Sequence, residues 1–120
     1  MKIIISAVAP DLDATLDPRF GRAAHFLIVD DQTLEWEATP NPAAEAAGGA
    51  GSQAAQLVAR HQPGVVISGA FGPNAFHVLQ AAGIRMFRCP DTRTARQALQ
   101  EYRAGVLSEV ITPGPGGRRG

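Results

Sequence analysis

Two arginines lie three residues apart in the segment DPRFGRA, residues 17–23, and they are the side chains best suited to bind an anion. Arg19 and Arg22 keep their charge at every physiological pH and present fixed hydrogen-bond donors. Asp17-Pro18 favours a turn, and Gly21 frees the backbone where a side chain would obstruct it. The segment therefore predicts a loop, whose arginines are either anion ligands or solvated surface charge.

Two glycine-rich segments are predicted to lead into helices: GGAGS, residues 48–52, and GAFGPN, residues 69–74. The start of a helix offers unpaired N–H groups and the positive end of the helix dipole, and glycine lets a ligand approach that backbone closely. Each segment alone is consistent with ordinary turn chemistry. Because pockets in open α/β sheets form at the carboxyl ends of parallel strands, convergence of both segments with residues 17–22 would create a compact anion site.

Neither glycine segment matches a nucleotide-binding fingerprint. The Walker A pattern requires Lys-Ser/Thr after its last glycine, whereas Gly51 is followed by Ser52-Gln53. The dinucleotide pattern requires G-x-G-x-x-G directly after a strand, whereas Gly49-Ala50-Gly51 follows a loop and has no third glycine in register. The segments therefore do not indicate a nucleotide site.

Composition limits the classes of function. A chain of 120 residues with 45% hydrophobic and 18% charged residues is typical of one globular domain. A formal net charge of +0 gives no overall attraction to nucleic acid or membranes, so an anion site must be local. A single cysteine, Cys89, excludes an intrachain disulfide and a four-thiolate metal site. His25, His61 and His77 match no zinc spacing.

The periodicity predicts an α/β layered domain with a mixed sheet. Lys2 to Val8 is continuously apolar and predicts a buried central strand rather than a short signal peptide, so we expect a cytoplasmic protein. A single domain over residues 1–112 and a disordered Gly/Pro/Arg tail over 113–120 are expected. The remaining predicted elements are strands 24–29 and 33–38 in a hairpin, a helix capped by Ser52 and running to His61, strand 65–68, a helix from Pro73 to Gly83, strand 84–87, and a helix capped by Asp91 or Thr92 and ending at Gly105.

Three segments together resemble the dinitrogenase iron–molybdenum cofactor biosynthesis family, which includes NifX-like carriers and small stand-alone members. They are residues 17–23, the stretch from Asn41 to Gly51, and residues 69–75 followed by Gly83-Ile84. The resemblance runs in order and spacing from Lys2 to about Leu107. It implies a ribonuclease H-like α/β fold with a mixed five-stranded sheet.

The resemblance also implies a non-enzymatic binding or carrier role with no catalytic residues, and we expect no protein metal ligands in this particular chain. The cargo would be an anionic iron–sulfur or molybdenum-containing cluster, or its precursor, bound non-covalently. A cofactor-synthesis or acceptor protein would be the partner, with neither nucleic acid nor membrane involved. The implied binding residues are Arg19, Phe20, Gly21, Arg22, Gly49, Ala50, Gly51, Ser52, Gly69, Gly72 and Asn74.

One position departs from the family pattern. Several NifX-like carriers have histidine directly before the Phe-Gly pair, where this chain has Arg19. Guanidinium is not a practical metal ligand, so electrostatic and hydrogen-bonded capture is favoured over direct coordination.

Two alternatives stay open at the level of sequence. Asp11, Asp13, Asp30, Asp31 and Glu35 could serve a metal-dependent nuclease or phosphatase, although they fall in loops and a hairpin turn rather than on rigid strands. The polar-faced strand 33–38 could instead pair with another chain in a ligand-free interaction module.

Overall fold

The computed structural model describes residues 1–114, and within them the chain forms six strands and three α-helices. A short 3₁₀ turn, Pro42–Glu45, precedes the first helix. The elements in chain order are β1 (Lys2–Ala7), β2 (His25–Asp30), β3 (Trp36–Pro40), α1 (Ala50–Arg60), β4 (Val65–Ser68), α2 (Pro73–Ala81), β5 (Arg85–Arg88), α3 (Ala95–Arg103) and β6 (Ser108–Glu109).

All strands belong to one mixed sheet with the order β3-β2-β1-β4-β5-β6. Strands β1, β4 and β5 are parallel, whereas β2, β3 and β6 join through antiparallel pairs. The carboxyl ends of the three parallel strands, Ala7, Ser68 and Arg88, therefore share one edge of the sheet, which we call the carboxyl edge. Both α1 and α2 begin on this side of the sheet. Helix α1 ends just before β4 begins, so its first residues lie at the carboxyl edge, and α2 begins just after β4 ends.

The predicted mixed α/β class is confirmed, but the expected number of five strands is wrong. The sixth strand, Ser108–Glu109, pairs with Phe87 and Arg88 at the end of β5. Both of its residues are exposed and its length is two residues, so it carries no apolar alternation that a sequence pattern could reveal. The ribonuclease H-like label stays a prediction.

The sheet buries apolar side chains on both faces. Along β1, Ile4 packs in the core under α1 and α2, while Ile3 and Ile5 pack in the core under α3. All three are fully buried, as the continuously apolar pattern predicted. Strand β3 lies at the sheet edge, as its sequence predicted. Its alternating pattern did not predict the exposure of Trp36, because Trp36 and Glu37 are both exposed.

Several element boundaries differ from the predictions. Ser52 is the third residue of α1 and not its cap, since Gly49 takes the N-cap position with a φ of 73°. Thr94, not Asp91 or Thr92, caps α3 through a reciprocal bond with Gln97. The third strand starts at Trp36 rather than at residue 33, because Leu34 has a φ of 63° that breaks extended structure.

Of the predicted tail 113–120, residues 115–120 lie outside the described residues, and the domain boundary at 112 stays a prediction. Within residues 1–114, the helices fall short of the length and apolar character needed to cross a membrane.

Candidate functional site

Three loops that are distant in sequence meet at the carboxyl edge. A Cβ atom added to Gly21 would lie 2.8 Å from the Cα of Gly51 and 2.9 Å from its nitrogen. A Cβ added to Gly69 would lie 2.8 Å from the Cα and from the carbonyl oxygen of Pro18. The loops 17–22, 48–52 and 69–74 therefore form one interlocked group, which we call the loop cluster.

Two helix N-termini lie side by side in the loop cluster. A Cβ added to Gly51, the second residue of α1, would lie 3.5 Å from the backbone nitrogen of Ala75 near the start of α2. Within the described chain, no side chain caps either helix. In α3, by contrast, Thr94 and Gln97 form a complete capping box. The unpaired N–H groups and the positive dipole ends of α1 and α2 therefore point toward the same region.

Buried hydroxyl groups tie the loop 17–22 to the sheet. The Oγ of Ser6 donates to Ser68 Oγ at 2.8 Å and also lies 3.1 Å from the carbonyl oxygen of Asp17. The Asp17 carboxylate accepts from the backbone N–H of Ala24 at 3.2 Å, so it closes the loop on itself. These hydrogen bonds fix both ends of the loop that bears Arg19 and Arg22.

Asn41 holds the base of the cluster, a role that the sequence analysis did not assign to it. Its side chain is 5% exposed and donates to the carbonyl oxygens of Gly21 at 3.2 Å and Ala23 at 2.9 Å. Its Oδ1 accepts from the N–H of Ala43 at 3.1 Å. The amide therefore satisfies three buried backbone groups that belong to two different loops. The signal available in the sequence was an asparagine before a proline, which is typical of a capping residue.

Arg22 makes structural contacts that were not predicted for it. Its Nη1 donates to the carbonyl oxygen of Ala44 at 3.0 Å and to that of Ala46 at 2.7 Å. These bonds fasten the end of the 3₁₀ turn to the loop 17–22. No carboxylate neutralises Arg22 within residues 1–114, so its positive charge still contributes to the potential at the cluster.

Phe20 anchors the loop through its ring. The side chain is 1% exposed, and its ring centroid lies 5.1 Å from that of Phe26 and 5.4 Å from that of Phe71. Its backbone N–H donates to the carbonyl oxygen of Ala70 at 3.1 Å, which joins two loops of the cluster. Phe20 therefore shapes the loop from within the core, and its predicted binding role stays a prediction.

Arg19 is the exposed arginine of the loop. Its backbone N–H lies 3.4 Å from the Asp17 carboxylate, and its guanidinium has no hydrogen-bond or ion-pair partner among residues 1–114. Arg19 therefore adds an exposed and uncompensated positive charge to a loop that contacts the start of α1, and such a charge is suited to bind an anion.

The other predicted binding residues lie in or around the cluster with different exposures. Gly72 is the exposed N-cap of α2, and Asn74 is the exposed second residue of the same helix. Ala50 is buried as the first residue of α1, after the exposed N-cap Gly49, and Ser52 is half-buried. The structure thus brings the predicted residues together, and their binding role stays a prediction.

Comparison with known proteins agrees with this architecture. The sequence profile of the dinitrogenase iron–molybdenum cofactor family matches residues 1–105. The chain belongs to this family. The matched range includes all three loops of the loop cluster. None of the curated proteins matches the chain significantly.

Two solved structures resemble this family member over nearly their whole length. The apo form of the orange protein from Desulfovibrio gigas is 40% identical, with a TM-score of 0.90, and the match covers 94% of this chain and 95% of the other. A Thermotoga protein solved by NMR, named for NifB and placed in the DUF35 family, is 30% identical with a TM-score of 0.82. That match covers 94% of this chain and 96% of the other.

Cys89 is not available as a thiolate ligand. It is 1% exposed, and burial raises the pKa of its thiol to about 11. The group is therefore protonated at neutral pH. Among residues 1–114, no three His, Cys, Asp or Glu side chains come together as candidate ligands of a metal ion.

The acidic residues form two groups at opposite ends of β1, and several of their carboxylates have structural partners. Asp13 binds Arg96 at 2.9 Å, and this guanidinium holds the pKa of the carboxyl below its ordinary value. Asp30 accepts backbone N–H groups of the β2–β3 turn, and its register partner is Lys2 at the opposite end of β1 from Asp11. Strand β1 has six residues, and its length therefore separates the two groups of acids by about 17 Å.

Proposed function

We propose that this family member binds and carries an anionic metal–sulfur cluster or its precursor, without thiolate ligands and without catalysing a reaction on it. One observation carries the proposal: the loop cluster combines two adjacent uncapped helix N-termini with the exposed guanidinium of Arg19. The guest would lie over the helix starts, with Arg19 at its side.

The cluster offers an anion several contacts of moderate strength. Each helix end contributes about 0.3–1 kcal/mol toward a nearby negative charge. A hydrogen bond from a charged group such as Arg19 contributes about 1.5–3 kcal/mol. Because the loops are already fixed by Asn41, Ser6 and Phe20, little ordering entropy opposes binding.

The comparisons support a cofactor-binding or carrier role. The family takes its description from the dinitrogenase iron–molybdenum cofactor, and the orange protein structure is described as an apo form. The side chains of this chain fit capture by charge and hydrogen bonds rather than coordination, since the position before Phe20 is Arg19 and Cys89 is a buried thiol.

The enzymatic alternative has weaker support. Two-metal phosphoryl chemistry needs carboxylates around ions about 3.5–4 Å apart. Here Asp13 is paired with Arg96, and Asp30 lies at the other end of the sheet from Asp11. A ligand-free interaction role for β3 keeps some support, because Trp36 is 42% exposed beside an open cleft of about 680 Å³.

Binding of tetrathiomolybdate, a dianionic molybdenum–sulfur anion, tests the proposal. We expect the wild-type protein to retain the coloured anion through anaerobic equilibrium dialysis, and Arg19→Ala to weaken its binding at least about tenfold because one charged donor is lost.

Arg60→Ala is the matched control. Arg60 is also exposed and lies at the other end of α1, about 15 Å along the helix from the loop cluster. Its removal changes the net charge equally and is expected to leave binding within about twofold of wild type, since screening limits charge effects at that range. Failure of the wild-type protein to retain the anion, or equal affinities of the two variants, would contradict the proposal.

A further inference from the structure

A second cleft adjoins the loop cluster on the side of β5. It has a volume of about 460 Å³ and is lined by Gly69, Arg88, Cys89, Pro90 and Ser108. Gly69 belongs to the loop cluster, whereas the other lining residues come from the end of β5 and from the edge strand β6. The cleft therefore extends the candidate site beyond the three loops that the sequence identified.

The pleat of β5 places Arg88 on the same side of the sheet as the helices of the cluster. Met86, two residues earlier, packs in the core under α1 and α2, and alternate residues of a strand share a face. Arg88 is also the register partner of Ser68 on one side and of Ser108 on the other. The hydroxyl of Ser68 connects through Ser6 to the start of the loop that bears Arg19.

The charge of Arg88 is not compensated by the described part of the chain. Of the five arginines between residues 85 and 103, three bind carboxylates: Arg85 with Glu109, Arg93 with Glu101, and Arg96 with Asp13. Arg88 is exposed and makes no comparable hydrogen bond or ion pair within residues 1–114. The neighbouring thiol of Cys89 is buried and neutral, so it adds no negative charge to the cleft. Arg88 therefore gives the cleft wall a net positive charge.

We infer that Arg88 is a second anion-binding residue of the same site, and that it contacts the end of the guest opposite Arg19. The inference rests on the proposed function. The preferred guest is an anion with at least two negative charges and terminal sulfur or oxygen atoms on opposite sides, because the loop that bears Arg19 starts beside β1, Arg88 ends β5, and these two strands flank β4. The hydroxyl of Ser108, on the facing strand, is a further donor to the same end of the guest.

Equilibrium dialysis with tetrathiomolybdate alone, performed on the full chain, tests this assignment. Arg88→Ala is expected to weaken binding at least about tenfold, because a charged donor is removed. The Arg19→Ala/Arg88→Ala double variant is expected to bind more weakly than either single variant, and its departure from the product of the two single losses measures their coupling through the shared anion. Arg88→Lys keeps the charge and is expected to recover most of the affinity.

The outcomes distinguish this inference from the proposed function. In one outcome the wild-type protein binds tetrathiomolybdate and Arg19→Ala binds it weakly, while Arg88→Ala has the same affinity as the Arg60→Ala control. That result would refute the role of Arg88 and would leave the proposed function of the loop cluster intact. If the wild-type protein does not bind the anion, both fail. Thermal unfolding checks that each variant is folded. If Arg88→Ala does not fold, Arg88→Gln is tested in its place.

Discussion

Replacing Asn41 by alanine is expected to lower the free energy of unfolding by about 2–4 kcal/mol. The substitution removes three hydrogen bonds and leaves the carbonyl oxygens of Gly21 and Ala23 and the N–H of Ala43 without partners. Each unsatisfied buried group costs about 1–3 kcal/mol, with partial recovery where water can enter. Because a domain of this size has only about 5–15 kcal/mol of stability, urea unfolding would show the loss clearly.

Asn74→Ala provides the matched control for this prediction. Asn74 is exposed on α2 and makes no side-chain hydrogen bond within residues 1–114, so its removal is expected to change stability by less than about 0.5 kcal/mol. Asn41→Asp tests the donor role separately, since it keeps the acceptor for Ala43 but turns a carboxylate toward two carbonyl oxygens. If Asn41→Ala unfolds at the same urea concentration as Asn74→Ala, the amide does not hold the loops together.

Gly21→Ala is expected to lower stability by about 1–3 kcal/mol and to abolish retention of an anionic guest. The new methyl group would lie 2.8 Å from Gly51 Cα, 2.9 Å from Gly51 nitrogen and 3.3 Å from the carbonyl carbon of Ala50. All three atoms are backbone, so no side chain can rotate away. The loop 17–22 must then separate from the start of α1, which moves Arg19 away from the helix N-termini. Urea unfolding and anion dialysis of the same preparation measure both effects.

Gly48→Ala is the corresponding control, because a methyl group there would meet no atom within 4 Å. It is expected to keep the stability within about 0.5 kcal/mol of wild type and to retain the guest. Equal stability of Gly21→Ala and Gly48→Ala would show that the loop 17–22 is not in close contact with the start of α1 in solution.

Much of the fold could be predicted from local pattern alone. The run Ile3–Ile5 indicated a strand covered on both faces, and Pro73 marked the first residue of α2. The sequence could not indicate β6, which is two exposed residues stabilised only by pairing with β5. It also misplaced two caps, because Gly49 and Thr94 compete locally with other residues that cap equally well in isolation.

The sequence predicted which loops form the candidate site, but it did not predict which of their residues make structural contacts and which stay exposed. Glycines at loop-to-helix junctions indicated close backbone approach, which the contacts of Gly21 and Gly69 now explain. That Arg22 binds backbone carbonyls while Arg19 does not depends on the position of the 3₁₀ turn, a non-local fact. Arg88 was not predicted as a binding residue for the same reason. It belongs to no motif, and only its register with Ser68 and Ser108 places it near the loop cluster.

The most direct test of the anion-binding account is a titration of ¹⁵N-labelled protein with tetrathiomolybdate, followed by amide chemical shifts. The account predicts saturable shifts concentrated at Ala50, Gly51 and Ser52 of α1, at Asn74 and Ala75 of α2, and in residues 17–22, with little change in β3. Shifts centred on β3 and Trp36, or none at concentrations that saturate comparable anion sites, would contradict it.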